Sequence, residues 1–301
     1  MISTAVYGAP PLQLATVAAG AAQLSPFVPG STAIEDLQDS SLSSLVMLAP
    51  PGTTERRYAI AHGLRALQPG APFVVLGPKD KGGSRLGKEL AAFGCAVEEQ
   101  GRAHHRICHT VRPQAPTGMD AAIAAGAPRL VESLGLWSQP GLFSWDRLDP
   151  GSAKLAGALG PLSGRGADLG CGYGWLSRAV LAQNSVERLD LVDLDRRAVA
   201  AARRNLDDPR AHIHWADART EPPLADLDFV VMNPPFHDGG AEDRALGQAF
   251  IRRAHTALRK GGRLWLVANR HLPYEPVLTP MFSAVELKSQ AGGYKVFEAR
   301  K

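Results

Sequence analysis

The stretch Gly166-Ala167-Asp168-Leu169-Gly170-Cys171-Gly172-Tyr173-Gly174 indicates how this chain folds. It predicts a buried strand that ends in an acid, followed by a glycine-rich turn and a helix from about Trp175 to Ala182. Alternating glycines let the backbone approach a ligand, and the new helix offers free N–H groups and a positive dipole end there. The spacing Asp-x-Gly-x-Gly-x-Gly is neither the dinucleotide-binding Gly-x-Gly-x-x-Gly nor a P-loop. We therefore expect a nucleotide-like ligand at the end of this strand.

A second strand, Leu189 to Asp193, also ends in an acid. In a doubly wound sheet an acid at this place faces the ligand crevice and can accept hydrogen bonds from both ribose hydroxyls. The alternative is that Asp193 caps the helix that follows, because aspartate is a favoured N-cap. Asp195 could perform that capping, so the pattern favours the ribose role for Asp193, with Leu194 beside it.

A third strand is predicted over His212 to Ala216, and Asp217 and Ala218 follow it. We expect Asp217 to meet the amino group of an adenine, with Ala218 next to the same ring. The alternative is an ordinary aspartate in a turn.

The fourth strand, Asp228 to Met232, is closed by Asn233-Pro234-Pro235-Phe236. This motif resembles the Asn-Pro-Pro-Phe/Tyr of amino-methylating class I methyltransferases, and the resemblance implies an exocyclic amine conjugated to a ring as acceptor. Such an amine is a poor nucleophile. The side-chain oxygen of Asn233 and the carbonyl of Pro234 can each accept one of its hydrogens, which aims the nitrogen lone pair. Tandem prolines stiffen the loop, and Phe236 offers a flat face for a base taken out of its stack. His237 could move protons, although a polar loop residue or a phosphate contact is the simpler interpretation.

These motifs together resemble class I S-adenosylmethionine-dependent methyltransferases, whose amino-methylating members carry Asn-Pro-Pro-Phe/Tyr at this place. The resemblance implies S-adenosyl-L-methionine as cofactor. The expected cofactor-binding residues are Asp168, Gly170, Gly172, Gly174, Asp193, Leu194, Asp217, Ala218 and Asn233. The expected catalytic residues are Asn233, Pro234, Pro235 and Phe236.

The bulk composition is that of an ordinary globular protein, with 45% apolar and 21% charged residues among 301. A net charge of +4 is compatible with nucleic acid without establishing it. No apolar run approaches the roughly 20 residues of a membrane span, and no positive residue precedes Arg56, as a signal peptide would require. The three cysteines show no C-x-x-C pairing, which disfavours both disulfides and zinc. We expect a cytoplasmic protein without metal.

The first half repeats the pattern of the second half in degenerate form. Ala49 aligns with Asn233 and Gly52 with Phe236, so the first copy has lost the chemistry. Any two α/β segments could share such an order, and that is the simpler alternative. The matched pairs are 45–51 with 229–235, 66–70 with 257–261, 93–98 with 282–286 and 106–108 with 295–297.

A basic cluster stands near the end of the first half. It comprises Arg102, His104, His105, Arg106, His109 and Arg112. A metal site is disfavoured because no cysteine or carboxylate set accompanies the histidines. An RNA-facing patch and a plain solvated surface both remain open.

Several longer segments resemble a narrower family, the bacterial ribosomal RNA guanine-N2 methyltransferases of the small-subunit type. They are 141–144, 148–152, 168–172, 233–239, 268–274 and 293–296. The resemblance implies two tandem Rossmann-like α/β methyltransferase domains. The first is degenerate, and the second is a seven-stranded, mostly parallel sheet with an antiparallel C-terminal strand. The expected divisions are a degenerate domain without a cofactor site over 1–115, a linker over 116–136 and a catalytic domain over 137–301.

The family resemblance also implies the reaction, which is methylation of the exocyclic N2 amine of a guanine in 16S ribosomal RNA. The expected partner is ribosomal RNA or the 30S subunit. The alternatives are a large-subunit guanine, adenine N6 or a protein glutamine amide as acceptor, and an RNA-binding assembly factor without catalysis. The sequence does not decide the nucleotide, the oligomeric state, or whether the first domain contacts RNA or only supports the fold.

Overall fold

The computed structural model describes residues 3–235, 237–238, 241–242 and 244–301. The chain forms two compact units, Met1–Pro128 and Arg129–Lys301. The division between them lies inside the predicted 116–136 segment. In the described part of the chain no helix is both long and apolar enough to cross a membrane.

The first unit contains one six-stranded sheet with helices against it. Its elements are β1 (Thr4–Tyr7), β2 (Ala22–Gln23), β3 (Ser44–Leu48), α1 (Thr53–Ala66), β4 (Pro72–Pro78), α2 (Leu86–Ala92), β5 (Glu98–Arg102), β6 (His105–Val111) and α3 (Met119–Gly126). The strand order is β2-β1-β3-β4-β6-β5, parallel from β2 to β4 and antiparallel from β4 to β5.

The described part of the second unit contains a seven-stranded sheet and two short antiparallel strand pairs. Its elements are β7 (Arg129–Val131), β8 (Leu136–Ser138), α4 (Pro150–Ala158), β9 (Gly164–Leu169), α5 (Trp175–Leu181), β10 (Val186–Asp193), α6 (Arg196–Asn205), β11 (Ala211–Trp215), β12 (Leu227–Met232), β13 (His237–Asp238), β14 (Ala241–Glu242), α7 (Arg244–Ala257), β15 (Leu258–Asn269), α8 (Glu275–Met281), β16 (Ala284–Ala291) and β17 (Tyr294–Arg300). The large sheet has the order β11-β10-β9-β12-β15-β17-β16, and the two short pairs are β7-β8 and β13-β14.

The central strands of this sheet are apolar on both faces because helices cover both of them. Val230 and Met232 face one core with residues of α7 and α8, while Phe229 and Val231 face the other with residues of α4 and α5. Five strands are parallel, and β17 is antiparallel to both β15 and β16. The predicted α/β class and the mostly parallel seven-stranded sheet are confirmed.

The two units repeat one topology, because β1-β3-β4-β6-β5 follows the same order as β9-β12-β15-β17-β16. The register of the repeat differs by one residue from the sequence alignment. Leu45 pairs with Phe73 and faces α1, just as Val230 pairs with Leu264 and faces α7. Leu45 therefore corresponds to Val230, although the paired prolines aligned it with Phe229. A slip of one residue turns every side chain of a strand to the other face, so burial decides the register.

This register changes which residues of the first unit correspond to the predicted site. Ala5 pairs with Leu45 as Ala167 pairs with Val230, which puts Val6 at the position of Asp168. The pairing of β2 with β1 likewise puts Ser25 at the position of Asp193. Leu48 corresponds to Asn233, and the alignment of Ala49 with Asn233 was wrong by one residue. Gly8 keeps the left-handed backbone of Gly170, with φ of 81° and 79° respectively.

Two other segments show structure that their sequence does not indicate. The residues of 127–136 favour a short helix by composition, but they form the β7–β8 hairpin, in which Gly135 turns the chain with φ of 61°. The segment 1–43, which is rich in Ala, Gly, Pro and Ser, supplies β1 and β2. Its strands are too short to establish an alternation, since β2 has only two residues.

Candidate functional site

The carboxyl ends of β9, β10 and β12 meet where the strand order reverses, with β10 on one side of β9 and β12 on the other. Ligands of open α/β sheets bind at such a switch point. The backbone N–H groups of Gly170 and Cys171 both donate to the Val192 carbonyl, at 2.8 and 3.2 Å. The glycine turn is therefore fixed to the end of β10.

The three glycines of the turn all have left-handed backbone, but they have different surroundings. Their φ angles are 79° at Gly170, 55° at Gly172 and 87° at Gly174. A Cβ on Gly172 would meet no described atom within 4 Å, whereas one on Gly174 would lie 3.1 Å from Leu206 of the chain after α6. Gly172 thus borders open space suited to a ligand, and Gly174 allows close helix packing.

Asp193 lies at the end of β10, half-buried, and its carboxylate accepts from the backbone amides of Gly172, Leu194 and Asp195. Oδ2 accepts from the Gly172 N–H and Oδ1 from the Asp195 N–H, both at 2.8 Å. Burial raises the pKa of Asp193 to about 6, and the neighbouring Asp195 carboxylate adds to the rise. Asp195 caps α6 by accepting from the Arg197 N–H at 2.9 Å, so the capping alternative for Asp193 does not apply.

Asp168 lies beneath the turn and is almost fully buried, with 1% of its surface exposed. Its Oδ2 accepts from the Ser177 hydroxyl of α5 at 2.6 Å. Burial raises the pKa of Asp168 to about 7, with a further rise caused by Asp193. The Asp168–Ser177 bond joins β9 to α5 under the turn, and its cofactor contact stays a prediction.

Asp217 follows β11 in a turn whose N–H groups, from Thr220 and Glu221, donate to the Asp217 carbonyl. Its carboxylate is paired with the Arg219 guanidinium at 2.6 and 2.8 Å, and this hydrogen bonding lowers the pKa of Asp217. An adenine amino group would therefore share the carboxylate with Arg219. The adenine role of Asp217 stays a prediction.

Leu194 and Ala218, the two apolar residues expected at the cofactor, both have structural contacts in the second unit. The Leu194 carbonyl accepts from the Trp215 indole N–H at 2.9 Å, which ties the end of β11 to the end of β10. Ala218 is buried in the core beneath the sheet edge.

Asn233 is held in one orientation by two residues that the sequence patterns did not assign a role. Its Nδ2 donates to Oδ2 of Asp149 at 2.9 Å and to Oγ of Ser152 at 3.0 Å. A carboxylate can only accept hydrogen bonds, so the amide nitrogen must face Asp149 and the Oδ1 atom is turned away from it. This orientation presents the oxygen as an acceptor to an incoming amine.

Asp149 itself is fixed by the start of α4. Its Oδ2 also accepts from the Ser152 N–H at 2.7 Å, which makes it the N-cap of that helix, and Pro150 is the first helical residue. The capping pattern is visible in the sequence. The contact with Asn233 spans 84 residues and has no local signal.

A pocket of about 240 Å³ opens beside Asn233. It is lined by Phe143, Ser144, Arg147, Asp149, Pro150, Asn233, Pro234, Val267, Ala268, Asn269, Leu272, Tyr274 and Tyr294. Tyr294 packs against Gly151, where a Cβ would lie 2.8 Å from its ring. Pro234 is buried and Pro235 is exposed. Phe236 lies outside the described residues, as do the side chains of His237 and Asp238.

Tyr173 connects the glycine turn to the rim of this pocket. Its hydroxyl donates to the carbonyls of Ser144 and Arg147, each at 3.4 Å. The Asn205 side chain in turn donates to the Tyr173 carbonyl at 2.8 Å. Hydrogen bonds therefore connect the glycine turn to the loop that lines the pocket, within the second unit.

We expect that loosening the Asn233 amide slows methyl transfer. Asp149→Ala should lower kcat about tenfold to a hundredfold and destabilise the protein by about 1 kcal/mol through the lost helix cap. Ser152→Ala should lower kcat only a few fold, because one acceptor for Nδ2 remains. Lys154→Ala on the same helix is the matched control. Equal kcat values for all three variants would contradict the positioning role.

The family model of the methyltransferase small domain matches residues 133–298. The ribosomal RNA small subunit methyltransferase C of Pseudomonas aeruginosa strain LESB58 is 31% identical over 286 residues, covering 93% of this chain and 86% of that protein. The protein of the same name from Erwinia tasmaniensis is 32% identical over 263 residues, covering 86% and 75% respectively.

A solved structure is similar over both units. It is the T. thermophilus 16S rRNA N2 G1207 methyltransferase (RsmC) in complex with AdoMet and guanosine. It superposes with a TM-score of 0.79 at 26% identity, covering 99% of this chain and 88% of that one. The described residues contain no group of His, Cys, Asp and Glu able to hold a metal ion.

Proposed function

We propose, from the premise that this chain belongs to the small-domain methyltransferase family and to its ribosomal RNA small subunit methyltransferase C branch, that it methylates the exocyclic N2 amine of a guanine in 16S ribosomal RNA. The enzyme class and the cofactor expected from the sequence are confirmed by these relatives. The proposed substrate is ribosomal RNA or the assembled 30S subunit, which would place the enzyme in the bacterial cytoplasm.

The observation that supports the reaction most strongly is the fixed amide of Asn233. Because Asp149 and Ser152 hold its nitrogen, Oδ1 is available to accept one hydrogen of a planar amine. The Pro234 carbonyl is suited to accept the other. Two acceptors held in place orient the nitrogen lone pair and stabilise the positive charge that develops on it.

The residues around the glycine turn fit S-adenosylmethionine. The half-buried Asp193 carboxylate borders the open space at Gly172. It accepts from the backbone N–H groups of Gly172, Asp195 and Leu194, and its two oxygens offer about four lone-pair sites, so capacity remains for a ribose hydroxyl. When bound, this cofactor supplies an electrophilic methyl group on a positively charged sulfur. The amine nitrogen forms the new C–N bond as the C–S bond breaks, and the nitrogen then loses a proton to solvent, so no strong general base is needed.

We propose that Asp168, Gly170, Gly174, Leu194, Asp217 and Ala218 complete the cofactor site. Pro235 would stiffen the acceptor loop, and the role expected of Phe236 is a flat face for the target base. The side chain of Phe143, 60% exposed at the pocket, is available as a further flat face for the target base. A pocket of about 240 Å³ suits one base better than a larger ligand.

We further propose that only the second unit binds the cofactor. Val6, Ser25 and Leu48 occupy the positions that correspond to Asp168, Asp193 and Asn233. None of these three side chains carries a negative charge or an amide. Calorimetry on the full chain should therefore give one S-adenosylmethionine site per chain.

Modification mapping tests the proposed function. Ribosomal RNA from cells with and without the gene is digested and analysed for methylated guanosines. We expect one N2-methylguanosine in 16S ribosomal RNA to disappear with the gene and to return with the wild-type gene but not with an Asn233→Ala copy. An unchanged 16S pattern would refute the proposal.

The affinity for S-adenosylmethionine should depend on pH through Asp193. Burial raises its pKa to about 6, so the ionised form that attracts a cationic ligand is lost as the pH falls through that value. We expect the Kd at pH 5 to be about tenfold higher than at pH 8. Stability without ligand has the opposite sign, because a raised pKa favours the folded protein below pH 4 and this contribution disappears as the pH rises through 6. Calorimetry from pH 5 to 8 measures the first effect, and a flat Kd would contradict it.

A further inference from the structure

The first unit carries an exposed basic surface where the loop after β4 meets the tip of the β5–β6 hairpin. We call it the tip cluster, and it comprises the exposed Lys79, Arg85, Arg102 and His104 and the half-buried Lys81. The Lys79 N–H donates to the His104 carbonyl at 2.9 Å, and Pro78 lies opposite His105 in the sheet. A Cβ on Gly101 would lie 3.1 Å from Nζ of Lys79. Two segments distant in sequence thus form one surface.

The charges of the tip cluster are not neutralised by neighbouring acids. Within the described ranges no ion pair involves Lys79, Lys81, Arg85 or Arg102. Asp80 is the one acid of segment 79–88, which holds four lysines and arginines.

Other arginines of the same unit do have acidic partners. Arg56 pairs with Glu89 at 2.7 Å, Arg65 with Asp39 at 2.6 Å and Arg106 with Glu99 at 3.1 Å. A group of unpaired cations on one surface favours a polyanionic partner.

The hairpin tip is held in a conformation that its residues do not favour. Ala103 and His104 have φ of 45° and 59°, the backbone of a tight hairpin turn that normally uses Asn-Gly. The ladder on both sides fixes the turn, since Arg102 pairs with His105 and the His105 ring bonds the Ala103 carbonyl at 2.7 Å. Strained residues persist where the surrounding structure determines them, and they concentrate at functional sites.

The basic cluster seen in the sequence separates into different surroundings. Arg112 is at the far end of β6, where its N–H donates to the Ala71 carbonyl, and the His109 ring bonds Gln100 at 3.0 Å. Arg106 is neutralised by Glu99. Only Arg102 and His104, together with the lysines and Arg85 of the neighbouring loop, contribute to the tip cluster.

We propose that the tip cluster binds the phosphate backbone of the RNA substrate. This inference rests on the proposed function, because RNA is the polyanion which that function brings to the protein. Contacts from lysine and arginine to phosphates position a nucleic acid without reading its sequence. The tip cluster would therefore add affinity and salt dependence, while the chemistry stays with the second unit.

The test compares two full-chain variants that each remove two charges from the first unit. Lys79→Gln/Arg102→Gln alters the tip cluster. Arg57→Gln/Arg112→Gln is the matched control, since Arg57 stacks on Phe93 and Arg112 is at the other end of the sheet. Filter binding measures the Kd for a 16S ribosomal RNA transcript at salt concentrations from about 0.05 to about 0.3 M, a range wide enough to give the salt dependence. Thermal melting checks that both variants fold.

We expect the tip-cluster variant to bind about tenfold more weakly near 0.1 M salt, with the slope of log Kd against log salt reduced by about 1.5. Its KM for RNA should rise, with kcat and the Kd for S-adenosylmethionine unchanged. Wild-type values of Kd and slope in this variant, or equal losses in the control, would overturn the proposal. Retained RNA affinity with lost binding to phosphatidylglycerol vesicles would assign the tip cluster to a membrane surface and also overturn it. A wild-type protein that neither binds nor methylates the RNA would refute the proposed function instead.

Discussion

Replacing Asn233 by alanine should lower kcat by about 10²–10³-fold, with the Kd for S-adenosylmethionine changed only a few fold. The alanine removes a fixed acceptor for the amine and leaves Asp149 and Ser152 without their donor. Single-turnover methylation of ribosomal RNA measures the first quantity and calorimetry the second. A kcat within threefold of wild type would contradict the role of Asn233.

An exchange of two residues separates orientation from simple presence. Asn233→Asp alone places a second carboxylate against Asp149, and like charges at this distance cannot both ionise. Asn233→Asp/Asp149→Asn restores one donor and one acceptor at the same contact. We expect the kcat of the double variant to be at least about tenfold higher than that of Asn233→Asp alone. A factor of this size corresponds to the free energy of one hydrogen bond to a charged group. Equal rates would show that the contact does not orient the acceptor.

Asp193→Asn should weaken S-adenosylmethionine binding by about a hundredfold at pH 8, which corresponds to the loss of hydrogen bonds to a charged group. The substitution removes the negative charge. It also places an NH₂ group opposite a backbone N–H group from which the carboxylate now accepts a hydrogen bond. The rise in Kd of about tenfold between pH 8 and pH 5 should become smaller, because Asp193 no longer titrates and only the buried Asp168 still does in this range.

Asp208→Asn is the matched control for this prediction, because Asp208 is a surface acid paired with Arg210 at 2.7 Å in the loop after α6. It should leave the Kd for S-adenosylmethionine unchanged. A Kd within threefold of wild type for Asp193→Asn, or an equal loss for Asp208→Asn, would contradict the assignment of Asp193.

The sequence predicted the second unit well where apolar alternation and capping agree. The alternating sequence of Tyr294–Arg300 indicates a strand, and these residues form β17. The choice of Asp195 over Asp193 as the helix cap followed from its place directly before α6. These features depend on neighbours in the chain. Local chemistry fixes them, so a single sequence is sufficient to find them.

The register of the internal repeat could not be fixed from the sequence. Paired prolines follow both β3 and β12 and invite an alignment of Leu45 with Phe229. The correct match of Leu45 with Val230 depends on which face α1 and α7 cover, and only tertiary packing shows that.

Contacts between distant segments were the other gap in the sequence interpretation. The pattern singled out Asn233 but gave no role to Asp149, because their contact depends on α4 lying against the end of β12. The sequence patterns also did not indicate the ion pair between Asp217 and Arg219, although only one residue separates them in the chain. An acid after a strand does not reveal whether its partner is a ligand or a neighbouring arginine.

In vitro methylation with labelled S-adenosylmethionine tests the central claim most directly. Purified protein is incubated with 30S subunits and with free 16S ribosomal RNA from cells lacking the gene, and the RNA is digested to nucleosides for chromatography. We expect the label in N2-methylguanosine for the wild-type protein and none above background for Asn233→Ala. Label in protein or in methyladenosine, or no label from a protein that binds S-adenosylmethionine normally, would contradict the assignment.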